Sequence, residues 1–530
     1  MLTFVRQCPW TTVSVVIVVA CVLCVAYLIA FVYPHLPLIN PDSASFLNFD
    51  WYRGAGYPLF LAAIYQATGN LFVVVPIQTA LVVSSVVFFF YQVGRCFDKL
   101  PLALITAAAF ILNATVIYYA YAIFSDSVFM ALVLFAGGAL FWALRRAHRG
   151  AIMTCAVAAA FAVTVKPVGI VLFVFPLILL VQYHDRRRMV VAYGLLPWLA
   201  VFLAFAGYNA VTLGNPSPFL RGGLSLFAGT AHLQERGSTT GDYAPIVDEL
   251  ATKTTRYRHL QETASSYRER QNIKKAQHAE VAYSRGEFKG LSRRLNQLVA
   301  ANPAAYCSGT VRASSSRYFG RPHPKLCRDQ LQRDIAIHAI ENDPIGYAAY
   351  VLDNAYAYFR ESFRQRKLNQ ESFDNRRDDA LKIASDIYLN APPEHFADGE
   401  PADPVPTIAA IHVMRQLPYK VLGLSLGIIT FATALLTLLA VPAAIAKRRR
   451  LSRLAAGAGA LSLALAGAYT MMSLTHHVVL RYVQPFQPVL LVAGVLGCAL
   501  VARIVAHGLR DSWSWAPLFA VNPSDSIRYP

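Results

Sequence analysis

The chain has 530 residues, with 48 Lys+Arg against 30 Asp+Glu for a formal net charge of +18, and it is 56% hydrophobic but only 15% charged, with mean hydropathy +0.41. Soluble domains carry about a quarter charged residues, so a soluble enzyme is excluded. The basic excess lies in short clusters between apolar runs, which argues against a nucleic-acid partner and for helices oriented in a membrane.

Apolar runs of roughly 20 residues are long enough to cross a hydrocarbon core of about 30 Å as helices. Taken in chain order they predict spans at 11–33, 71–93, 101–120, 124–144, 151–165, 168–182, 190–211, 419–446, 453–474 and 486–508, about ten in all. The expected fold class is therefore an all-α polytopic membrane protein. The run at 11–33 is too long for a signal peptide and lacks a small-residue cleavage site, so it reads as a retained helix. The segments 151–165 and 168–182 meet at Lys166-Pro167, where one kinked helix competes with two crossings. Charge decides for two. With a cytoplasmic N-terminus, two crossings put Arg145–Arg149, Asp185–Arg188 and Lys447–Arg453 all inside, as the positive-inside rule requires.

This arrangement gives four parts: an N-terminal transmembrane module (1–211) with a first outer loop at 34–70, a polar extracytoplasmic segment (212–418), C-terminal transmembrane helices (419–508) and a cytoplasmic tail (509–530). Within the large outer segment, residues 245–300 read as a charged helical hairpin with a solvated face, an interface-lying segment being the alternative. Asn342-Asp343-Pro344 opens a helix whose stripe of Tyr347, Tyr350, Val351, Ala355 and Tyr358 predicts packing back onto the membrane helices. Pro392, Pro393, Pro401, Pro404 and Pro406 mark an extended return. Cys307 and Cys327 are the two outer cysteines, and an oxidising compartment makes them a disulfide candidate; with only His323 between them, a zinc site lacks a fourth ligand. The outer segment has no Asn-x-Ser/Thr sequon, Asn113-Ala114-Thr115 being inside a span, which fits a bacterial inner membrane with this face toward the periplasm or exterior.

The same topology brings Asp42, Asp50, Arg53, Asp126, Lys166, His476, His477 and Arg481 to one outer face, from four separate loops. Each has a bland reading. Asp42 and Asp126 precede or open helices and can act as caps. Lys166 can snorkel, and His476, His477 and Arg481-Tyr482 can anchor the interface. Together, carboxylates and cations at headgroup depth suit a sugar bound through phosphate to a membrane lipid. Cations stabilise the leaving phosphate, and a carboxylate takes the proton of an attacking hydroxyl.

The order of these pieces resembles the GT-C superfamily of polyprenyl-phosphate-sugar-dependent glycosyltransferases, such as protein mannosyltransferases and lipid A aminoarabinose transferases. Pro41-Asp42-Ser43 resembles its first-loop acidic motif, and Arg53-Gly54-Ala55-Gly56-Tyr57-Pro58 resembles its Arg-x-Pro-Gly-Tyr-Pro stretch, with Ala55 in place of the proline. Ser125-Asp126-Ser127 resembles the second acidic motif, Thr164-Val165-Lys166-Pro167 the Thr-(Lys/Arg)-x-Pro element, and Arg481-Tyr482 with Pro485 the Arg-Tyr-x-x-Pro pattern. Residues 1–215 and 475–500 carry the likeness. It implies a GT-C-like fold with Asp42 as catalytic base and Asp126 as a second carboxylate near the acceptor or a metal. It also implies Lys166, Arg481 and Arg53 as donor-phosphate ligands, with Asp50, His476, His477 and Tyr482 as additional candidates. The implied partners are a polyprenyl-phosphate-linked sugar donor, membrane lipid and an extracytoplasmic acceptor (glycan, lipid or protein). Some relatives use a divalent cation, so one is a possible cofactor, but no His/Asp spacing in this sequence proves it. A lipid or sugar transporter or flippase is the competing reading, but it leads one to expect repeated halves and midplane charges. A polysaccharide polymerase or ligase with a lipid-diphosphate donor is the other.

The topology predicts that reporter fusions near residues 147, 187 and 449 report the cytoplasm and fusions within 34–70 and 212–418 report the outside; an outer segment shielded from impermeant reagents would contradict it.

Overall fold

Length and all-round apolarity decide which helices cross the bilayer. The computed structural model describes residues 43–47, 54–69, 73–111, 120, 122–213, 216, 222–238, 242–306, 324–361, 419–446, 450–475 and 484–511, and all of its regular structure there is helical. Among the described residues six helices are long and apolar enough to span: Val74–Cys96, Ser125–Arg146, His184–Thr212, Gly423–Ala446, Arg453–Leu474 and Gln487–His507. Three shorter apolar helices, Leu100–Ile111, Arg149–Val165 and Pro167–Gln182, accompany them. The protein is thus a multi-pass membrane protein. The expected span at 11–33 lies outside the described residues.

The chain divides into two units, one of Met1–Val201, Ser362–Ala466 and Gln484–Pro530, the other of Phe202–Glu361 and Gly467–Val483. In the first unit two short helices, α1 (Ser43–Leu47) and α2 (Gly56–Thr68), precede α3 (Val74–Cys96) and α4 (Leu100–Ile111). The central helix is α5 (Ser125–Arg146), buried along most of its apolar length, whereas His184–Thr212 leaves most of its apolar length uncovered by protein. Helix α5 reaches this position by presenting Gly137 and Gly138 to α3. A Cβ on either would fall within 3 Å of the Phe89 or Phe88 ring, so only glycine permits the approach. Phe141 then fills the space below, 6.2 Å from Phe89 and 5.9 Å from Phe97 between centroids.

Helix α5 ends where Ala147 turns left-handed at φ 48°, and His148 starts α6 (Arg149–Val165) by accepting the Gly150 N–H at 3.2 Å through its ring. Helix α6 ends at Lys166, which precedes Pro167 and is therefore extended (φ −143°, ψ 129°). The chain reverses there through the 3-10 turn Pro167–Phe173, closed by Gly169 N–H donating to the Lys166 carbonyl at 2.8 Å, into α7 (Val174–Gln182). Lys166-Pro167 is a turn between two segments and not a kink within one. At the α5–α6 turn the bundle collects its basic residues. Arg95 and Arg146 flank Arg145, Tyr183 donates to the Ala143 carbonyl at 2.6 Å, Arg149 lies 5.6 Å from the Tyr193 ring, and Arg450 pairs with Asp185 at 2.7 Å. The described parts of the three loops expected on one side, around Arg145–Arg149, Asp185–Arg188 and Arg450–Arg453, do share one end.

The second unit has its own core. Helices α9 (Gly222–Thr230), α10 (Ala244–Glu262), α11 (Tyr267–Tyr283), α12 (Leu291–Ala301) and α13 (Pro324–Asn342) follow α8 (Leu196–Leu213), and they bury Phe227, Val247, Leu250, Leu295, Leu331 and Ile335 together. Helices α10 and α11 form the expected hairpin. Ser266 caps α11 by accepting from Glu269 N–H, while Glu269 accepts from Ser265 N–H at 2.9 Å, a capping-box arrangement. One face of the hairpin is core and only the other is solvated, because Ile246, Val247, Leu250 and Tyr257 recur at helical spacing. Asp329 closes the N-terminus of α9, accepting from Gly223 N–H at 3.1 Å and Leu224 N–H at 2.8 Å. Cys327 is buried and disulfide-bonded, while Cys307 lies outside the described residues; Cys96, Cys155 and Cys498 are not disulfide-bonded. Helix α14 (Pro344–Glu361) packs as its aromatic stripe predicts, with Tyr358 and Phe359 against Tyr469 at centroid distances of 6.4 and 4.1 Å. Tyr469 belongs to α16 (Arg453–Thr475), which follows α15 (Tyr419–Ala446) and precedes α17 (Gln487–Asp511).

Candidate functional site

At the end of the first unit opposite the basic cluster, Lys166 Nζ lies 2.7 Å from Asp126 Oδ1, with the side chains 13% and 3% exposed. Local sequence makes the pair. Pro167 forces Lys166 out of the helix, and α5 begins at Ser125, so the turn after α6 and the first turn of α5 meet side by side. Asp126 does not cap α5 from the N-cap position: that residue is Phe124, which makes no side-chain cap bond. Asp126 sits inside the first turn, where the helix dipole favours its charge while Lys166 supplies the partner. The ammonium also lies 5.7 Å from the centre of the Phe129 ring, one turn further along α5.

Two segments wall this pair. The stretch Gly54-Ala55-Gly56-Tyr57 lies directly on Thr164. A Cβ on Gly54 would fall 2.3 Å from the Thr164 carbonyl oxygen, and one on Gly56 2.3 Å from the Thr164 hydroxyl. Glycine at both positions is a condition of the contact. Phe486, just past Pro485, meets Phe129 edge-on at 5.6 Å and brings the start of α17 to the same place. On the other side, Ser43 of α1 donates its hydroxyl to the Ile123 carbonyl at 2.9 Å. Segments around Ser43, Gly54, Asp126, Lys166 and Phe486 therefore converge, although they are far apart in sequence.

A buried polar chain holds the wall in register. The Tyr57 hydroxyl donates to Gln78 Oε1 at 2.7 Å, and Gln78 Nε2 donates to the carbonyls of Ala120 (3.2 Å) and Ala122 (3.1 Å), which lead into α5. Burial, and next the negative charge of Asp126, push the Tyr57 hydroxyl well above its ordinary pKa, so it stays a donor. Tyr57 and Gln78 escaped the search for charged groups. The available signals were the Gly-Tyr-Pro triplet and a single amide within the apolar run Val74–Val83.

Of the residues singled out from sequence, Asp126 and Lys166 are brought together here. Asp42, Asp50, Arg53, His476, His477, Arg481 and Tyr482 lie outside the described residues. Among the described residues no three His, Cys, Asp or Glu side chains group as a metal site.

What the pair can do follows from its burial. An ammonium shielded from water is a strong partner for an incoming anion, and the adjacent carboxylate holds it in place. Lys166→Met should cost about 3–5 kcal/mol of stability by stranding the Asp126 carboxylate. The double variant Asp126→Asn/Lys166→Met should recover most of that loss in thermal unfolding of the purified protein, and losses that simply add would contradict the coupling. Comparison of the chain with protein-family models, with curated proteins and with solved structures finds no match.

Proposed function

We propose that the protein is an inverting membrane glycosyltransferase that moves a sugar from a polyprenyl-phosphate-linked donor to an acceptor on the extracytoplasmic side. The observation that carries the reading is the buried Lys166–Asp126 pair at the end of the bundle away from the basic cluster, walled by the Gly54–Tyr57 stretch and by Phe486. A lipid-phosphate sugar presents its anomeric carbon and phosphate at that depth. On this reading Lys166, with Arg481 and Arg53, binds the donor phosphate, and Asp126 holds Lys166 ready. Asp42 takes the proton of the acceptor hydroxyl as its oxygen bonds to the anomeric carbon. The bond from that carbon to the phosphate oxygen breaks on the opposite face, its electron pair leaving with polyprenyl phosphate, where the cations stabilise the added charge. One displacement inverts the anomeric centre. Asp50, His476, His477 and Tyr482 are the additional candidates around this chemistry, and a divalent cation beside Asp126 is compatible with it.

Incubated with a series of polyprenyl-phosphate sugars, the purified protein should release polyprenyl phosphate. Asp42→Asn should reduce turnover at least about a hundredfold while donor binding persists, because an amide still accepts a capping bond but takes no proton. Lys166→Met should weaken donor binding and turnover together. Movement of intact donor across vesicles without release of polyprenyl phosphate, or an Asp42→Asn variant within a few fold of wild type, would overturn the assignment.

A further inference from the structure

Helix α14 carries two unlike faces. Toward α16 it offers Tyr347, Asn354 and Tyr358 along one line, and near its C-terminal end Phe359 also packs on Tyr469. The Tyr347 hydroxyl donates to the Leu474 carbonyl at 2.8 Å, and Asn354 Nδ2 donates to the Ser473 carbonyl at 3.3 Å. Away from α16 it exposes Ile345 (80%), Ala348, Ala349, Leu352 (70%) and Tyr356 (42%). At about 100° per residue these five fall within about 60° of one line along the helix. They form a continuous apolar stripe on an otherwise amphipathic helix.

Depth identifies what meets that stripe. Residues Arg453–Leu474 form a helix able to cross the membrane, and at about 1.5 Å per residue Leu474 lies about 30 Å along it from Arg453, the thickness of a hydrocarbon core. Along α14 the contacts on α16 step from Leu474, reached by Tyr347, back to Tyr469, reached by Tyr358 and Phe359. Five residues of α16 correspond to about 7 Å along its axis, at about 1.5 Å per residue. Helix α14 therefore descends from the end of a crossing helix into the depth where headgroups give way to acyl chains, the depth at which interfacial helices bury their apolar faces. The polar side of the same helix fits this placement. Asp353 pairs with Lys274 and accepts from Gln271 Nε2 at 2.8 Å, and Arg360 lies 4.8 Å from the Tyr267 ring, so the charged groups are tied to α11.

We propose that α14 inserts its Ile345–Leu352–Tyr356 face into the lipid leaflet at this end of α16 and so anchors the second unit to the membrane surface. The partner is the lipid itself, at the boundary of headgroups and acyl chains. The inference is independent of the catalytic reading, since it needs only that α16 crosses the bilayer.

The test places a small fluorescent thiol label at Leu352→Cys, and separately at Ile345→Cys, in full-length protein carrying Cys498→Ser. The same chain without the added cysteine is the blank. Reconstituted into phosphatidylcholine vesicles, the label should be quenched at least about twofold by brominated acyl chains and little affected by aqueous iodide. Strong quenching by iodide with none by brominated lipid would mean a solvated face. Protection from both would mean that protein, from this chain or a second copy, covers it. Either result at both positions overturns the proposal.

Discussion

A charged pair closed off from water at a membrane helix end is the constraint around which the first unit is arranged. Lys166 and Asp126 are each costly to bury alone, so the elements carrying them must hold a fixed distance. Pro167 sets one side by ending α6 in an extended residue, and the start of α5 sets the other. Gly54 and Gly56 then let the first loop close over Thr164 without steric conflict, and Tyr57, through Gln78, ties that loop to the backbone entering α5. No one of these features is chemical by itself. Together they hold an ammonium and a carboxylate beneath a short wall at one end of the bundle.

The remainder of the unit supports that end by keeping charge apart. Helix α5 is the most buried of the crossing helices, packed through Gly137 and Gly138 on α3, and it carries Asp126 at one terminus and Arg145 and Arg146 at the other. The acidic side chain near the helix N-terminus and the basic ones near its C-terminus both agree with the helix dipole. Positive charge is gathered at the far end with Arg95, Arg149 and Arg450, where the Arg450–Asp185 pair joins two loops.

Much of the fold was legible because bilayers impose strong rules on sequence. Apolar length located the six long spans, to the residue at 453–474 and with a start six residues late at 190–211 against His184–Thr212, and Lys166-Pro167 announced a turn through proline's effect on its predecessor. The motif order brought out Asp126 and Lys166, and their pairing follows from two neighbouring helix ends. Other features depended on three-dimensional packing. The Tyr57–Gln78 chain joins neutral residues, which charge-based reasoning passes over, and Asp126 resembled a cap because its true partner lies 40 residues away in sequence. The polar segment expected at 212–418 contributes to a unit that starts at Phe202 and takes in Gly467–Val483, since the last turns of α16 pack on α14 more closely than chain order would indicate.

The most direct measurement of the central claim is a structure of the full-length protein with polyprenyl phosphate bound, determined by electron cryo-microscopy. The account predicts the phosphate within hydrogen-bond reach of Lys166 Nζ, about 3 Å, beside the Gly54–Tyr57 wall and with Asp126 still against Lys166 or displaced by the phosphate. A phosphate bound instead at the basic end near Arg145, with the Lys166–Asp126 pair closed and unoccupied, would contradict it.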